Sequence, residues 1–147
     1  MQRAIGNAMA EVDLRPLDAY LAALNDHDPA AAVSVVSEEF QHYTLNAIYN
    51  KEATLFALKV LFRWLPDLRV ERVSYSTDAN GAIRSVVRSW GTQQGVVVGN
   101  VEPGREISWL STDVAVVRDG LLASRLWDHW SDPDMNRRYG ITPIASC

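Results

Sequence analysis

The chain has 147 residues, 48% of them hydrophobic and 22% charged, with fourteen Lys and Arg against eighteen Asp and Glu for a net charge of -4. That is about one domain, large enough to bury a core without staples, and it excludes a disordered chain and a coiled coil. No basic stripe marks a nucleic-acid binder, and the single cysteine, Cys147 at the last position, leaves no internal disulfide framework and no Cys-based metal cluster.

Residues 1–12 read as an N-terminal extension. They carry one Arg, and Gly6 and Asn7 interrupt any apolar run, so they do not read as a signal peptide. No apolar stretch approaches the ~18 residues of a membrane span. The longest, LFALKVLFRWL, carries Lys59 and Arg63. A cytoplasmic protein with no membrane association is expected. Leu17, Tyr20, Leu21 and Leu24 recur at helical spacing, with Pro16 in the first turn, where a missing N–H costs nothing. Asn25-Asp26-His27-Asp28 breaks that helix. Asp28-Pro29 restarts it as cap and first-turn proline, with Ala32, Val33, Val36 and Phe40 on one face. His27 beside Asp28 looks like a metal or acid–base pair, but capping explains it better. A short strand is predicted near residues 40–44 and a loop over 45–49. Asn50 caps a third helix, KEATLFALKVLFRWL, with Leu55, Leu58, Val60, Leu61 and Trp64 mostly inward, and Pro66 ends it.

The period then changes to two. Strand runs are predicted over 68–77, 82–94, 106–118 and 121–130, with turn signals at Asp78-Ala79-Asn80-Gly81 and Asp119-Gly120. Residues 133–147 hold Pro133 and Pro143 and little periodicity, and read as an irregular tail. No repeat, linker or low-complexity segment divides residues 1–147, so a single domain is expected. Helices followed by a run of antiparallel strands read as α+β, a curved antiparallel sheet wrapped around three N-terminal helices with a pocket between them.

Three patches narrow the choice: Pro66-Asp67-Leu68 after the third helix; Gly95 and Gly99 followed by Pro103-Gly104-Arg105; and Asp113-Val114 leading to Arg118-Asp119-Gly120 and a Trp-Asp strand. In order and spacing, from about Leu17 to Asp132, they resemble the SnoaL-like polyketide cyclases of the NTF2-like superfamily. The resemblance implies a cone-shaped α+β barrel, a deep apolar pocket opening at one end, and homodimerisation through the sheet. Proteins of this fold include aldol and pericyclic cyclases, epoxide hydrolases, dehydratases, isomerases and plain binding modules, so fold alone does not settle function.

Asp113 lies mid-strand, where Asp is disfavoured and costly to bury unpaired. With the resemblance, it reads as a pocket carboxylate for acid–base work; the plain alternative is a solvated outer position. His129 stands where the resemblance places a catalytic carboxylate on the last strand, unless Asp128 takes that place. Neighbouring strand residues face opposite ways, so only one of the two enters the pocket. Paired about the Asp119-Gly120 turn in the simplest register, residue 113 falls opposite 126 and His129 near 110, and a bulge would shift this by one. Ser111 occupies the place where epoxide hydrolases of this fold carry an Arg, which counts against that activity. On the first strand, alternation turns either His42 or Gln41 with Tyr43 inward, and Tyr43 is a candidate donor to a carbonyl or enolate oxygen.

The five Trp are the unusual feature of the composition. Trp109 shares strand parity with Ser111 and Asp113, and Trp127 with His129. Trp64 and Trp90 are expected to join them in walling the pocket. Such a pocket suits a large flat or polyene substrate better than a sugar or phosphate. No Gly-rich phosphate loop follows a strand, so no nucleotide cofactor is expected, and no His/Asp/Glu spacing suggests a metal. The leading expectation is a cofactor-independent cyclase of secondary metabolism, folding a polyketide-type intermediate for C–C ring closure of pericyclic or aldol type. Its expected machinery is Asp113, His129 and Tyr43 (or Asp128), with Trp64, Trp90, Trp109, Trp127, His42 and Ser111 around the substrate. The many rings and few proton carriers tilt the balance toward closure by shape. An epoxide hydrolase or isomerase, and a non-catalytic small-molecule binding protein, are the alternatives.

Overall fold

The computed structural model describes residues 12–44, 47–94 and 103–130, the last three of these through their backbone. The proposed extension at 1–12, except for Val12, and the tail at 133–147 lie outside the described residues. The first helix of the described residues, α1 (Arg15–Asn25), carries Pro16 in its first turn and buries Leu17, Tyr20, Leu21 and Leu24 on one face. The chain then turns at His27, whose φ of 54° lies in the left-handed region. Asp28 caps α2 (Pro29–Val33) by accepting a hydrogen bond from the Ala31 N–H at 3.0 Å. Asn50 caps α3 (Lys51–Trp64) in the same way, accepting from Ala53 N–H at 2.8 Å.

The second helix is shorter than its apolar spacing suggested. Val36 and Phe40 are buried, but on strand β1 (Val36–Tyr43), not on a helix. Spacing of four satisfies a helix face and, with even parity, a strand face as well. The segment expected as a loop contains a short strand, β2 (Ile48–Tyr49), paired antiparallel with the end of β1. The remaining strands are β3 (Arg69–Thr77), β4 (Ile83–Thr92), β5 (Glu106–Arg118) and β6 (Leu121–Trp130).

The six strands form one curved sheet in the order β2-β1-β6-β5-β4-β3. It is mixed, not wholly antiparallel: β1 and β6 run parallel, and the other neighbours antiparallel. Turn residues announce hairpins, whereas the pairing of β1 with a strand some eighty residues later carries no local signal. Register shifts interrupt the β1–β6 and β3–β4 ladders once each and the β5–β6 ladder twice. Each such bulge bends and twists its strand, which curls the sheet around the helices.

Two local devices hold the helices to the sheet. The Asn25 side chain donates to Val70 O (3.1 Å) and accepts from Val70 N–H (2.8 Å), pairing the end of α1 with β3. Asp67 accepts from the backbone N–H of Thr92 (2.7 Å) and from its hydroxyl (2.8 Å). That ties the turn after α3 to the end of β4 beside Gly91, where an added Cβ would lie 3.2 Å from Asp67 Oδ1 and 3.4 Å from the Leu68 backbone. The core from all three helices and the concave sheet face closes around Leu17, Tyr20, Phe40, Leu65, Ile83 and Leu122. Among the described residues, no helix is long and apolar enough to cross a membrane.

Candidate active site

Alternation along the strands fixes what faces the helices. On β5 the buried positions are Ile107, Trp109, Ser111, Asp113 and Ala115; on β4 they are Ile83, Ser85, Val87, Ser89 and Gly91. The serines are small, so the inner face does not fill the space beneath α1 and α3. A cavity of about 550 Å³ remains between sheet and helices. This lies within the ~300–1,000 Å³ typical of small-molecule sites. Leu21, Leu24, Leu58, Leu61, Leu68 and Val87 line it, together with Trp64, Trp109 and Trp127. Trp64 and Trp109 stack with centroids 6.5 Å apart and planes 16° apart, and Trp64 Nε1–H donates to Gln93 Oε1 at 3.1 Å. Phe56, exposed on α3, also lines the cavity and stands at its rim.

The polar end of the cavity is built around Arg125 of β6. Between Val116–Ser124 and Val117–Leu122 the β5–β6 register shifts by one, leaving Ala123 as the extra residue. Arg125 then sits opposite Ala115 on one side and beside His42 of β1 on the other, on the inner face. It is 8% exposed, with its guanidinium carbon 4.9 Å from the centre of the Tyr20 ring. Arg125 Nη2 donates to Asp113 Oδ2 at 2.5 Å, and Asp113 is 1% exposed. A buried cation is costly alone, and here the carboxylate and the ring face compensate it. Burial by itself would lower the Arg125 pKa, but the Asp113 carboxylate reverses this and holds it above the ordinary value. Burial, and then the Arg125 charge, push His42 down to about 3, so its imidazole is neutral at neutral pH. Burial raises Tyr20, which stays a phenol. The Tyr20 hydroxyl, His42 Nε2, Arg125 Nε and Asp113 Oδ1 are all buried and meet no hydrogen-bond partner among the described residues.

Of the residues singled out in the sequence, Trp64, Trp109, Trp127, His42 and Ser111 line the cavity. Asp113 faces inward but lies behind Arg125 and does not line it. The first bulge puts Asp113 opposite Trp127, where the simplest register put residue 126. Tyr43 is placed off the cavity, with its hydroxyl donating to Gln41 Oε1 at 2.5 Å, because His42 takes the inward parity of β1. Trp90 lies on the outer face of β4, in parity with Arg88, whose guanidinium sits 4.9 Å over its ring. The side chains of Asp128 and His129 lie outside the described residues; the backbone register there shifts again, with Ser111 paired to Trp130. Two groups of the site escaped sequence reasoning. Arg125 shares parity with Trp127, which was the available signal, and Tyr20 was absorbed into an apolar helix face. Among the described residues, no three His, Cys, Asp or Glu come together to hold a metal ion.

Comparison with known proteins extends the picture. The model of the SnoaL-like polyketide cyclase family matches residues 15–136. No curated protein matches the sequence. Among solved structures, TsrD from Streptomyces laurentii superposes with a TM-score of 0.69 at 22% identity, covering 90% of this chain and 100% of that one. BvnE pinacolase from Penicillium brevicompactum gives 0.62 at 15%, covering 76% and 77%. A ketosteroid isomerase-like protein from Catenulispora acidiphila, in complex with trimethylamine, gives 0.67 at 11%, covering 86% and 92%. At such identities the superpositions establish a shared fold and nothing about substrates. The family match runs through all three helices and all six strands of the described residues, and the chain belongs to the SnoaL-like polyketide cyclase family.

Proposed function

We propose that this protein is a cofactor-independent cyclase that folds an apolar, polyketide-type substrate for intramolecular C–C ring closure, by shape more than by proton abstraction. The observation that carries this reading is the cavity of about 550 Å³, walled by apolar side chains and stacked indoles, in which the described proton carriers are poorly suited to act as bases. Asp113 is committed to Arg125 and stands behind it. His42, at about 3, is too weak a base to take a proton from an ordinary carbon acid. A pericyclic closure needs no base: π bonds of one molecule become σ bonds of the same molecule, and no proton, electron or group leaves. Holding a flexible chain in its reactive conformer lowers the barrier by removing the entropy of its unreactive conformers before the bonds form. Family membership supports the substrate class.

The test offers the purified protein a panel of linear diene–dienophile chains and follows closure by chromatography and mass spectrometry. The expected product has the mass of its substrate and forms faster than without protein. Trp127→Ala should slow closure by at least about tenfold by loosening the conformer, whereas Arg88→Met, outside the cavity on the outer face of the sheet, should change it little. Binding of the chains, seen as quenched Trp fluorescence, without any acceleration would favour a binding protein instead.

A further inference from the structure

We infer that the substrate carries an enolised 1,3-dicarbonyl head, held by Tyr20, His42 and Arg125 at the polar end of the cavity. This deepens the cyclase reading and rests on it. The three residues come from α1, β1 and β6, yet they meet at one place. His42 and Arg125 are paired neighbours on parallel strands, and the Tyr20 ring lies 4.9 Å beneath the guanidinium. All three line the cavity. Each presents a buried polar atom without a partner among the described residues: the Tyr20 hydroxyl, His42 Nε2 and Arg125 Nε. Buried polar groups are ordinarily paired, and three orphans converging on one cavity call for a ligand that pairs them.

Their chemistry specifies the head. Arg125 Nε–H donates. The Tyr20 phenol donates as well. A neutral His42 with its proton on Nδ1 leaves Nε2 as an acceptor. An enolised 1,3-dicarbonyl answers this set with two acceptor oxygens and one O–H donor. Charge excludes a carboxylate head. Asp113 already neutralises Arg125 at 2.5 Å, so a second carboxylate would bring a net negative charge into an apolar cavity. Asp113 is thus a positioning residue: it aims the guanidinium and sets the charge of the site.

The experiment measures dissociation constants by Trp quenching and calorimetry for three probes: 1-phenyl-1,3-butanedione, butylbenzene and 4-phenylbutanoate. In the wild type the dicarbonyl should bind about tenfold tighter than butylbenzene, as expected for two or three added hydrogen bonds, and tighter than the carboxylate. Tyr20→Phe keeps the ring beneath the guanidinium and should narrow the dicarbonyl preference by about threefold or more. Asp113→Asn should reverse the charge preference, so that 4-phenylbutanoate overtakes the dicarbonyl; a residue serving only the packing would not do this. Equal binding of dicarbonyl and hydrocarbon to the wild type, or a preference unchanged in Tyr20→Phe, overturns this inference and leaves the cyclase reading standing. Binding of none of the probes overturns both.

Discussion

Two arginines in this sheet sit over aromatic rings at the same distance, 4.9 Å from guanidinium to ring centre, on opposite faces. Arg125 lies over Tyr20 on the concave face, and Arg88 over Trp90 on the outer face. Geometry alone would rank them equal. Arg88 is exposed, so water solvates its charge whether or not the ring is there. Arg125 is desolvated, and Asp113 must answer its charge. The same contact is therefore a minor ornament outside and part of an obligate charge balance inside. The inner face concentrates its polarity at one point of an apolar cavity; the outer face spreads it.

The comparison breaks most sharply if one partner is removed. Arg125→Met leaves the Asp113 carboxylate buried and unpaired, and should destabilise the protein by about 3–5 kcal/mol in urea denaturation. Adding Asp113→Asn to Arg125→Met should recover much of that loss. If the single substitution costs less than about 1 kcal/mol, the pair is not the desolvated charge balance described here.

His42 sharpens the inner side through pH. Its folded value, about 3, lies below the ordinary 6.5, so the unfolded chain binds a proton that the folded chain refuses. The stability this represents is complete above pH 6.5 and is lost as pH falls toward 3, at up to about 1.4 kcal/mol per pH unit. Urea midpoints at pH 7 and pH 5 should differ more for the wild type than for His42→Gln. Identical differences would show that the imidazole is not shielded by burial and the Arg125 charge.

The outer side carries exposed apolar groups, among them Leu110 on β5 and Leu126 on β6. We propose that a second copy of the chain covers this face, giving a homodimer. Light scattering at micromolar concentration should give twice the chain mass, and Leu110→Lys should weaken association by at least about tenfold, or 1.4 kcal/mol. A monomer mass in the wild type removes the proposal. The smallest effect belongs to Arg88→Met, which should shift stability by no more than about 0.5–1 kcal/mol. A shift as large as that of Arg125→Met would collapse the contrast between the faces.

The sequence by itself determined what depends on neighbours along the chain. Asp28 and Asn50 cap their helices because their short side chains reach an N–H three residues on. Asp119-Gly120 closes the β5–β6 hairpin because both residues accept positive φ, 53° and 77°. Strict alternation put Trp109, Ser111 and Asp113 on one face of β5. Only the tertiary structure decided what depends on partners far away. The parallel pairing of β1 with β6 brings His42 beside Arg125, and neither segment advertises the other. The bulge at Ala123 slides Trp127 opposite Asp113, a one-residue change that no turn residue announces. Trp90 lies outside while Ser85, Val87 and Ser89 lie inside, against the usual apolar-in order, because the inner face of β4 borders a cavity and needs small residues there. Asp113 was legible as a buried carboxylate, but whether it faced a substrate or an arginine was not. Its role follows from Arg125, twelve residues away in the chain and one strand away in space, since burial makes each charge depend on the other.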